Sequence, residues 1–192
     1  MIVVISGASG AGKTTIAKYI LQVFINARML ESHTVRLARE SDALGEYVYI
    51  SKLKFFVLWL FRFFLWTVKI HGINYGTAKL SVLAAALKKS SIFLMVLTPF
   101  VLEKLNRFAR RQGIDILYFY ILSPGPEVLR ERLLKRGDKP EEVERRVQDC
   151  LDWDEKVKAM TDIPFIFLRN EGDITEAANT VIAHLIEETT SS

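Results

Sequence analysis

The chain contains few of the residues that cross-link a protein, bind zinc or separate domains. Its 192 residues include one cysteine, three histidines and five prolines. The single cysteine, Cys150, excludes an intramolecular disulfide and suits a reducing compartment. His33 and His184 have no cysteine or carboxylate at metal-ligand spacing, so no zinc site is predicted. Because no stretch rich in proline, glycine and serine interrupts the chain, we expect a single domain over residues 1–192.

Signals for export, nucleic-acid binding and membrane spanning are also missing. Residues 1–5 carry no charged segment before their apolar run, so we expect no secretory signal and a cytoplasmic location. The formal net charge of +4 is modest, and basic and aromatic residues form no recognisable motif, so no nucleic-acid partner is expected. The apolar segment 55–68 is shorter than the about 20 residues that cross a bilayer.

Apolar runs alternate with amphipathic stretches along the chain. Nearly continuous apolar runs, typical of buried parallel strands, occur at residues 1–5, 91–97, 114–122 and 163–168. Apolar periodicity predicts helices at residues 15–27, 127–135, 141–152 and 174–188. Strands that alternate with helices predict an α/β fold in which a parallel sheet presents its ligands at the carboxyl ends of the strands.

The most specific motif is Gly-Ala-Ser-Gly-Ala-Gly-Lys-Thr, between the first predicted strand and the first predicted helix. Its glycines let backbone N–H groups converge on phosphates, above the positive end of the helix. Lys13 is predicted to reach the β and γ phosphates of ATP, and the Thr14 hydroxyl to ligate Mg²⁺. The predicted ATP site comprises Gly7, Ser9, Gly10, Ala11, Gly12, Lys13, Thr14 and Thr15.

Two further segments combine arginine, tyrosine and hydroxyl side chains. Residues 32–39 read Ser-His-Thr-Val-Arg-Leu-Ala-Arg and are followed by Gly-Glu-Tyr-Val-Tyr at 45–49, while residues 71–77 read His-Gly-Ile-Asn-Tyr-Gly-Thr. Two arginines separated by two residues can present planar forks to one phosphate, and tyrosine hydroxyls can donate to its other oxygens. Either arginine alone would be a surface residue, but the cluster favours a site for a phosphorylated acceptor.

Together with the phosphate-binding loop, these segments resemble the guanylate kinase family from Met1 to about Ile186. The family pattern is similar to Ser-x-Thr-Thr-Arg-x-x-Arg, Gly-Glu with an aromatic strand, and His-Gly-x-Tyr-Tyr-Gly-Thr. The resemblance implies ATP-dependent phosphorylation of GMP to GDP, with an acceptor-binding region at about 32–80. In that region Ser32 would meet the base with help from Thr77. The residues that would hold the acceptor phosphate are Arg36, Arg39, Tyr47 and Tyr75.

The carboxyl half supplies cations for phosphoryl transfer, which depends on positive charge where negative charge develops. Segments around residues 129–137 and 144–147 resemble the two halves of the family's lid, at about 130–147. Arg132, Arg136 and Arg146 are the predicted catalytic clamp, and ordinary helix-surface pairs with nearby glutamates are the alternative. The resemblance also places residues 170–173, beginning with Asn170, near the adenine of ATP. The implied fold is a three-layer P-loop NTPase fold with a central parallel sheet, a small acceptor-binding region and a helical lid.

Two departures from the family pattern leave the acceptor open. Trp66 stands where the family has a glutamate that reads guanine, and residues 92–98 lack the family's two aspartates near the reacting phosphates. Because guanine's N–H donors need an acceptor, loss of that glutamate leaves guanine specificity open. Asp42 or Glu46 from the neighbouring loop could replace it, but nothing in the sequence requires this. Ribose 1,5-bisphosphate phosphokinases, which resemble guanylate kinases, are the second interpretation. A nucleotide-binding interaction module with little kinase activity is the third.

The segment 55–68 is unusually apolar, with twelve apolar residues out of fourteen. If it were helical throughout, the flanking Lys54 and Lys69 would share one sector with Arg62 and leave a broad apolar surface. Packing between the acceptor-binding region and the main sheet, or contact with another protein, is favoured over peripheral membrane attachment. Nothing in the sequence predicts an oligomeric state.

Overall fold

The computed structural model describes residues 1–40, 42–170 and 174–190. Its strands are β1 (Ile2–Gly7), β2 (Ala27–Met29), β3 (Ser32–Thr34), β4 (Tyr47–Tyr49), β5 (Phe64–Ile70), β6 (Ile73–Ala78), β7 (Ile92–Leu97), β8 (Ile116–Ile121) and β9 (Phe165–Leu168). Its helices are α1 (Lys13–Val23), α2 (Lys52–Leu60), α3 (Lys79–Leu87), α4 (Leu102–Gln112), α5 (Pro126–Lys135), α6 (Pro140–Lys158) and α7 (Ile174–Thr190).

A parallel sheet in the order β2-β7-β1-β8-β9 forms the middle layer of the fold. β1 is buried along its whole length, and its side chains alternate between the two faces of the sheet. Val3 and Ile5 pack with residues of α1 and α7, whereas Ile2 and Val4 pack with residues of α3 and α4. Two apolar faces explain why the strand sequences are continuous apolar runs. The predicted three-layer α/β fold is confirmed.

A second, smaller sheet in the order β4-β3-β6-β5 carries four of the predicted acceptor residues, Ser32, Tyr47, Tyr75 and Thr77, while Arg36 and Arg39 lie in the segment between β3 and β4. β3 runs parallel to β4 and antiparallel to β6, and β5 and β6 form an antiparallel hairpin. The hairpin turn is made by His71 and Gly72, both at positive φ, between the paired residues Ile70 and Ile73. Two left-handed residues give the turn the twist that a tight hairpin requires.

The helix pair α5 and α6 covers the phosphate-binding loop. Leu129 and Leu133 of α5 pack with Val143 and Val147 of α6 and with Ala8 of the loop. Pro140 occupies the first turn of α6, where a missing N–H costs nothing. The predicted helix at 141–152 continues to Lys158 in the structure.

Two sequence predictions differ from the structure. The predicted helix 15–27 ends at Val23, because Phe24 is extended and Ala27 pairs with Ile92 in the β2–β7 ladder. Segment 54–69 is not one helix: α2 ends at Leu60, Arg62 is left-handed, and β5 begins at Phe64. Pairing of β5 with β6 overrides the helical pattern there. Among the helices of the described residues, none has the length and apolar character needed to cross a membrane.

Candidate functional site

The glycine loop leaves β1 at Gly7 and enters α1 at Lys13. Gly12 has φ 101°, and a Cβ there would lie 2.5 Å from Asn170 Nδ2, so only glycine fits. Lys13 Nζ donates to the carbonyl oxygens of Gly7 at 2.8 Å and Ala8 at 2.6 Å. Burial lowers the pKa of Lys13 to about 8. The ammonium group therefore already lies within the loop, in surroundings that favour an added negative charge.

Asn170 follows β9, the edge strand of the central sheet, and its side chain contacts the phosphate-binding loop. Its side chain is buried and Nδ2 donates to the Ala11 carbonyl at 2.7 Å. Arg132, at the end of α5, donates from Nη2 to the Asn170 carbonyl at 3.1 Å. Both residues, which the sequence assigned to ATP and to the catalytic clamp, thus contact the loop or its support. The rest of the predicted adenine segment, residues 171–173, lies outside the described residues.

One cavity brings together the three groups of predicted site residues. It lies between the glycine loop, the small sheet and the α5–α6 pair. The predicted residues that line it are Ser9, Lys13, Thr14, Ser32, Arg36, Arg39, Tyr47, Tyr75, Arg136 and Arg146. Thr77, Arg132 and Asn170 are not among the residues that line it. Segments up to 137 residues apart in sequence therefore meet at the carboxyl edge of the central sheet.

Arg36 is held in place by a carboxylate and an aromatic ring. Its Nη1 donates to Asp42 Oδ2 at 2.8 Å and its Nη2 to Asp42 Oδ1 at 2.6 Å. The guanidinium carbon lies 4.5 Å from the centre of the Tyr47 ring. Asp42 also accepts from the Tyr49 hydroxyl at 2.6 Å. Burial raises the pKa of Asp42, but the bonds from Arg36 and Tyr49 outweigh it, and the net pKa is lowered.

Ser32 and Thr77 act as a pair. Both are buried, and their hydroxyl oxygens are 2.8 Å apart. Ser32 lines the cavity, whereas Thr77 lies behind it on β6. The predicted assistance from Thr77 would therefore reach a ligand through the orientation of the Ser32 hydroxyl.

Trp66 forms an apolar wall where the family pattern has a glutamate. It is 4% exposed, and Val68, Ile70 and Leu97 line the cavity beside it. Its indole Nε1 is buried and has no hydrogen-bond partner within the part of the chain that the structure describes. An indole can donate but cannot accept, so this wall does not replace the missing carboxylate.

Glu46 supplies a carboxylate beside the glycine loop. It is 4% exposed, its Oε2 accepts from the Ala43 N–H at 2.9 Å, and its Oε1 lies 3.5 Å from Thr14 Oγ1. Burial raises the pKa of Glu46. Met95 and Leu97 of β7 are buried apolar residues, so this strand offers no carboxylate where the family pattern has its two aspartates. The sequence suggested Glu46 only as a reader of the base, whereas the structure places it near Thr14. The sequence signal for Glu46 was its place in the Gly-Glu pair at residues 45–46.

The lid arginines meet on Asp138. Arg136 forms an ion pair with Asp138 and donates from Nη2 to Ser9 Oγ of the glycine loop at 3.3 Å. Arg146 is 7% exposed and bonds Asp138 Oδ1 at 3.3 Å and Glu142 Oε2 at 3.0 Å. The helix-surface alternative thus holds for the Arg146–Glu142 pair, yet both arginines also line the cavity.

The site combines a glycine loop and its lysine with a second cluster of arginine and tyrosine that can bind a phosphate, and the lid arginines line the same cavity. This combination defines a P-loop kinase that acts on a small phosphorylated acceptor. The family model for guanylate kinase matches residues 1–188. The chain belongs to the guanylate kinase family. The resemblance stated from the sequence is confirmed, as is the assignment to the kinases.

Individual relatives agree with the family match. Guanylate kinase of Neisseria gonorrhoeae is 34% identical over 148 residues, which cover 76% of this chain and 70% of the relative. Guanylate kinase of Wolinella succinogenes is 29% identical over 172 residues, covering 88% of this chain and 77% of the relative. The solved structure of guanylate kinase from Anaplasma phagocytophilum superposes with a TM-score of 0.68 at 21% identity. That comparison covers 98% of this chain and 85% of the other, and it supports the fold.

Proposed function

We propose that this chain transfers the γ-phosphoryl group of ATP to GMP and releases ADP and GDP. Residues 1–192 would act as one kinase domain, with the acceptor-binding region at about 32–80 and the lid at about 130–147. The observation that carries the proposal is the cavity shared by Lys13, the Arg36 cluster and the lid arginines.

The glycine loop would bind the ATP phosphates. Its N–H groups and the amino end of α1 supply fixed partial positive charge. Lys13 would exchange the carbonyl oxygens of Gly7 and Ala8 for phosphate oxygens. Asn170 and Arg132 would keep the loop in shape, since Asn170 donates to the Ala11 carbonyl and Arg132 donates to the Asn170 carbonyl.

The residues at the loop fit a Mg²⁺ ion. Thr14 offers a hydroxyl and Glu46 a neighbouring carboxylate, and hard oxygen donors of this kind, completed by waters and substrate phosphates, are what Mg²⁺ prefers. When bound, the ion neutralises charge on the β and γ phosphates. Glu46 reaches this place from the acceptor region, whereas the two aspartates of the family pattern, which this chain lacks, would lie on the central sheet.

The acceptor phosphate would lie on Arg36, Arg39, Tyr47 and Tyr75. Arg36 is oriented by Asp42 and by the Tyr47 ring, so its fork is ordered before any ligand arrives. An oxygen of the acceptor phosphate would attack the γ-phosphorus, and the bond to the β–γ bridging oxygen would break. Arg136 and Arg146 would stabilise the negative charge on the transferred group.

Recognition of the base is the weakest match to GMP. The Ser32 hydroxyl and the apolar wall of Trp66, Val68 and Ile70 line the cavity, and Trp66 occupies the position of the family's guanine-reading glutamate. Trp66 therefore favours one second candidate, ribose 1,5-bisphosphate, which has two phosphates and no base.

The test is Mg-ATP-dependent ADP formation with GMP, dGMP, AMP, UMP, CMP, dTMP and ribose 1,5-bisphosphate. Lys13→Ala serves as the blank, because it should abolish transfer and leave the fold intact. Stimulation by GMP would support the proposal, and stimulation by the sugar bisphosphate alone would move the chain to the second candidate. If every acceptor were inactive while ATP still bound, the chain would be a nucleotide-binding module.

A further inference from the structure

Helix α2 exposes an unusual number of large apolar side chains. Six residues, here called the α2 apolar surface, are between 41% and 77% exposed: Leu53, Phe56, Val57, Trp59, Leu60 and Phe61. The buried side chain of this helix is Phe55, which stacks on Phe64 at 4.7 Å between ring centres. Core packing therefore accounts for β5, whose Leu65, Trp66 and Val68 join the central core, but not for α2.

The α2 apolar surface is bordered by positive charge. Lys52, Lys54, Arg62 and Lys69 are all exposed around it. Residues 47–102 contain no aspartate or glutamate, so this part of the chain carries no compensating negative charge. Outside this part of the chain, the charge of Glu31 acts on His33, as does the charge of Lys54 on α2.

We propose that the α2 apolar surface docks on the anionic face of a lipid bilayer. A short helix with exposed tryptophan, phenylalanine and leucine lies in the interface between head groups and acyl chains, and lysines beside it attract anionic lipids. A second copy of the chain is a poorer occupant, because a twofold contact would bring Lys52, Lys54 and Arg62 of both copies together. Membrane docking is separate from the proposed kinase reaction, since no residue of this surface lines the cavity.

Vesicle binding tests the proposal on the full chain. Sedimentation with vesicles of phosphatidylcholine alone is compared with an equimolar mixture of phosphatidylcholine and phosphatidylglycerol, at low and high salt. Tryptophan fluorescence gives a second readout, because Trp59 is 53% exposed whereas Trp66 and Trp153 are 4% and 7% exposed. We expect binding to the anionic vesicles, with a blue shift and quenching of Trp59 by brominated lipid.

Matched variants separate insertion from nonspecific attraction. Phe61→Ser should weaken vesicle binding by about tenfold or more, whereas Leu87→Ser, at an apolar residue 83% exposed on α3, should not. Lys52→Gln with Lys54→Gln should lose roughly fivefold per lysine, and Lys88→Gln with Lys89→Gln should lose far less. Unchanged ADP formation without lipid would show that each variant folds. Failure to bind anionic vesicles would overturn the proposal. So would a concentration-dependent dimer that Phe61→Ser dissociates, because the surface would then be a contact between copies.

Discussion

Replacement of Glu46 by glutamine gives the most direct test of the proposed metal side of the site. The substitution keeps the size of the side chain and an oxygen that can accept the Ala43 N–H, but it removes the negative charge 3.5 Å from the Thr14 hydroxyl. If Glu46 helps to hold Mg²⁺, the apparent metal affinity should fall by about 10- to 100-fold, the usual range for groups that support a metal site.

Glu46→Gln should weaken metal binding without lowering the stability of the fold. Burial raises the pKa of Glu46 above its value in the unfolded chain, so ionised Glu46 destabilises the fold above both pKa values, and this effect is lost as the pH falls. Glutamine removes that cost at neutral pH. We therefore expect an unchanged or higher free energy of unfolding at pH 7, together with weaker metal binding.

The assay is a titration with Mn²⁺ in place of Mg²⁺, followed by electron paramagnetic resonance in the presence of a nonhydrolysable ATP analogue. Urea unfolding is measured in parallel. Asp42→Asn is the matched control, because its carboxylate bonds Arg36 and should change acceptor KM and not metal affinity. Equal Mn²⁺ affinity in wild type and Glu46→Gln would refute the assignment of Glu46 to the metal.

Three further outcomes follow from the site. ATP binding should be accompanied by proton uptake just above pH 8 but not well below pH 8, because burial holds the pKa of Lys13 at about 8 in the free protein and bound phosphates would raise that pKa. Calorimetry in buffers of different ionisation enthalpy measures this uptake, which Lys13→Met should abolish. Asn170→Ala should lower the free energy of unfolding in urea by about 1–3 kcal/mol and raise the KM for ATP, since the Ala11 carbonyl loses its donor. Asn26→Ala removes a similar but exposed bond to Ser90 and should cost less. Equal costs would contradict the proposed role of Asn170 in holding the glycine loop. Trp66→Phe should lower the free energy of unfolding by about 1–3 kcal/mol, because the smaller ring leaves a cavity at a buried position; an unchanged urea midpoint would contradict the packing of this wall.

The sequence predicted the central sheet well because one physical cause dominates it. Strands with two buried faces are continuous apolar runs, and the glycine loop follows the first of them in a recognisable pattern. The small sheet was not predicted strand by strand, since its pairing joins short segments whose partners are set by tertiary contacts. The turn at Arg62 shows this clearly. Apolar character continues through it, yet the backbone changes from α2 to β5 because β6 offers a partner.

The contents of the cavity were also partly predictable. Residue types identified Lys13, Arg36 and Arg146, because phosphates need cations. The carboxylate partners of the two arginines could not be read from the sequence, since Asp42 and Asp138 reach Arg36 and Arg146 only in the folded chain. The location of Glu46 beside Thr14 likewise depends on how the small sheet docks on the glycine loop.

The pairing of site arginines with carboxylates has a consequence for how ligands enter. Arg36 rests on Asp42, and Arg136 and Arg146 share Asp138. These aspartates occupy the guanidinium groups that are proposed to bind phosphates, and they hold each group in an ordered position. An arriving phosphate therefore competes with an internal anion and does not meet a bare cation. We expect chloride or a single carboxylate to compete poorly with these aspartates, and a dianionic phosphate to compete well.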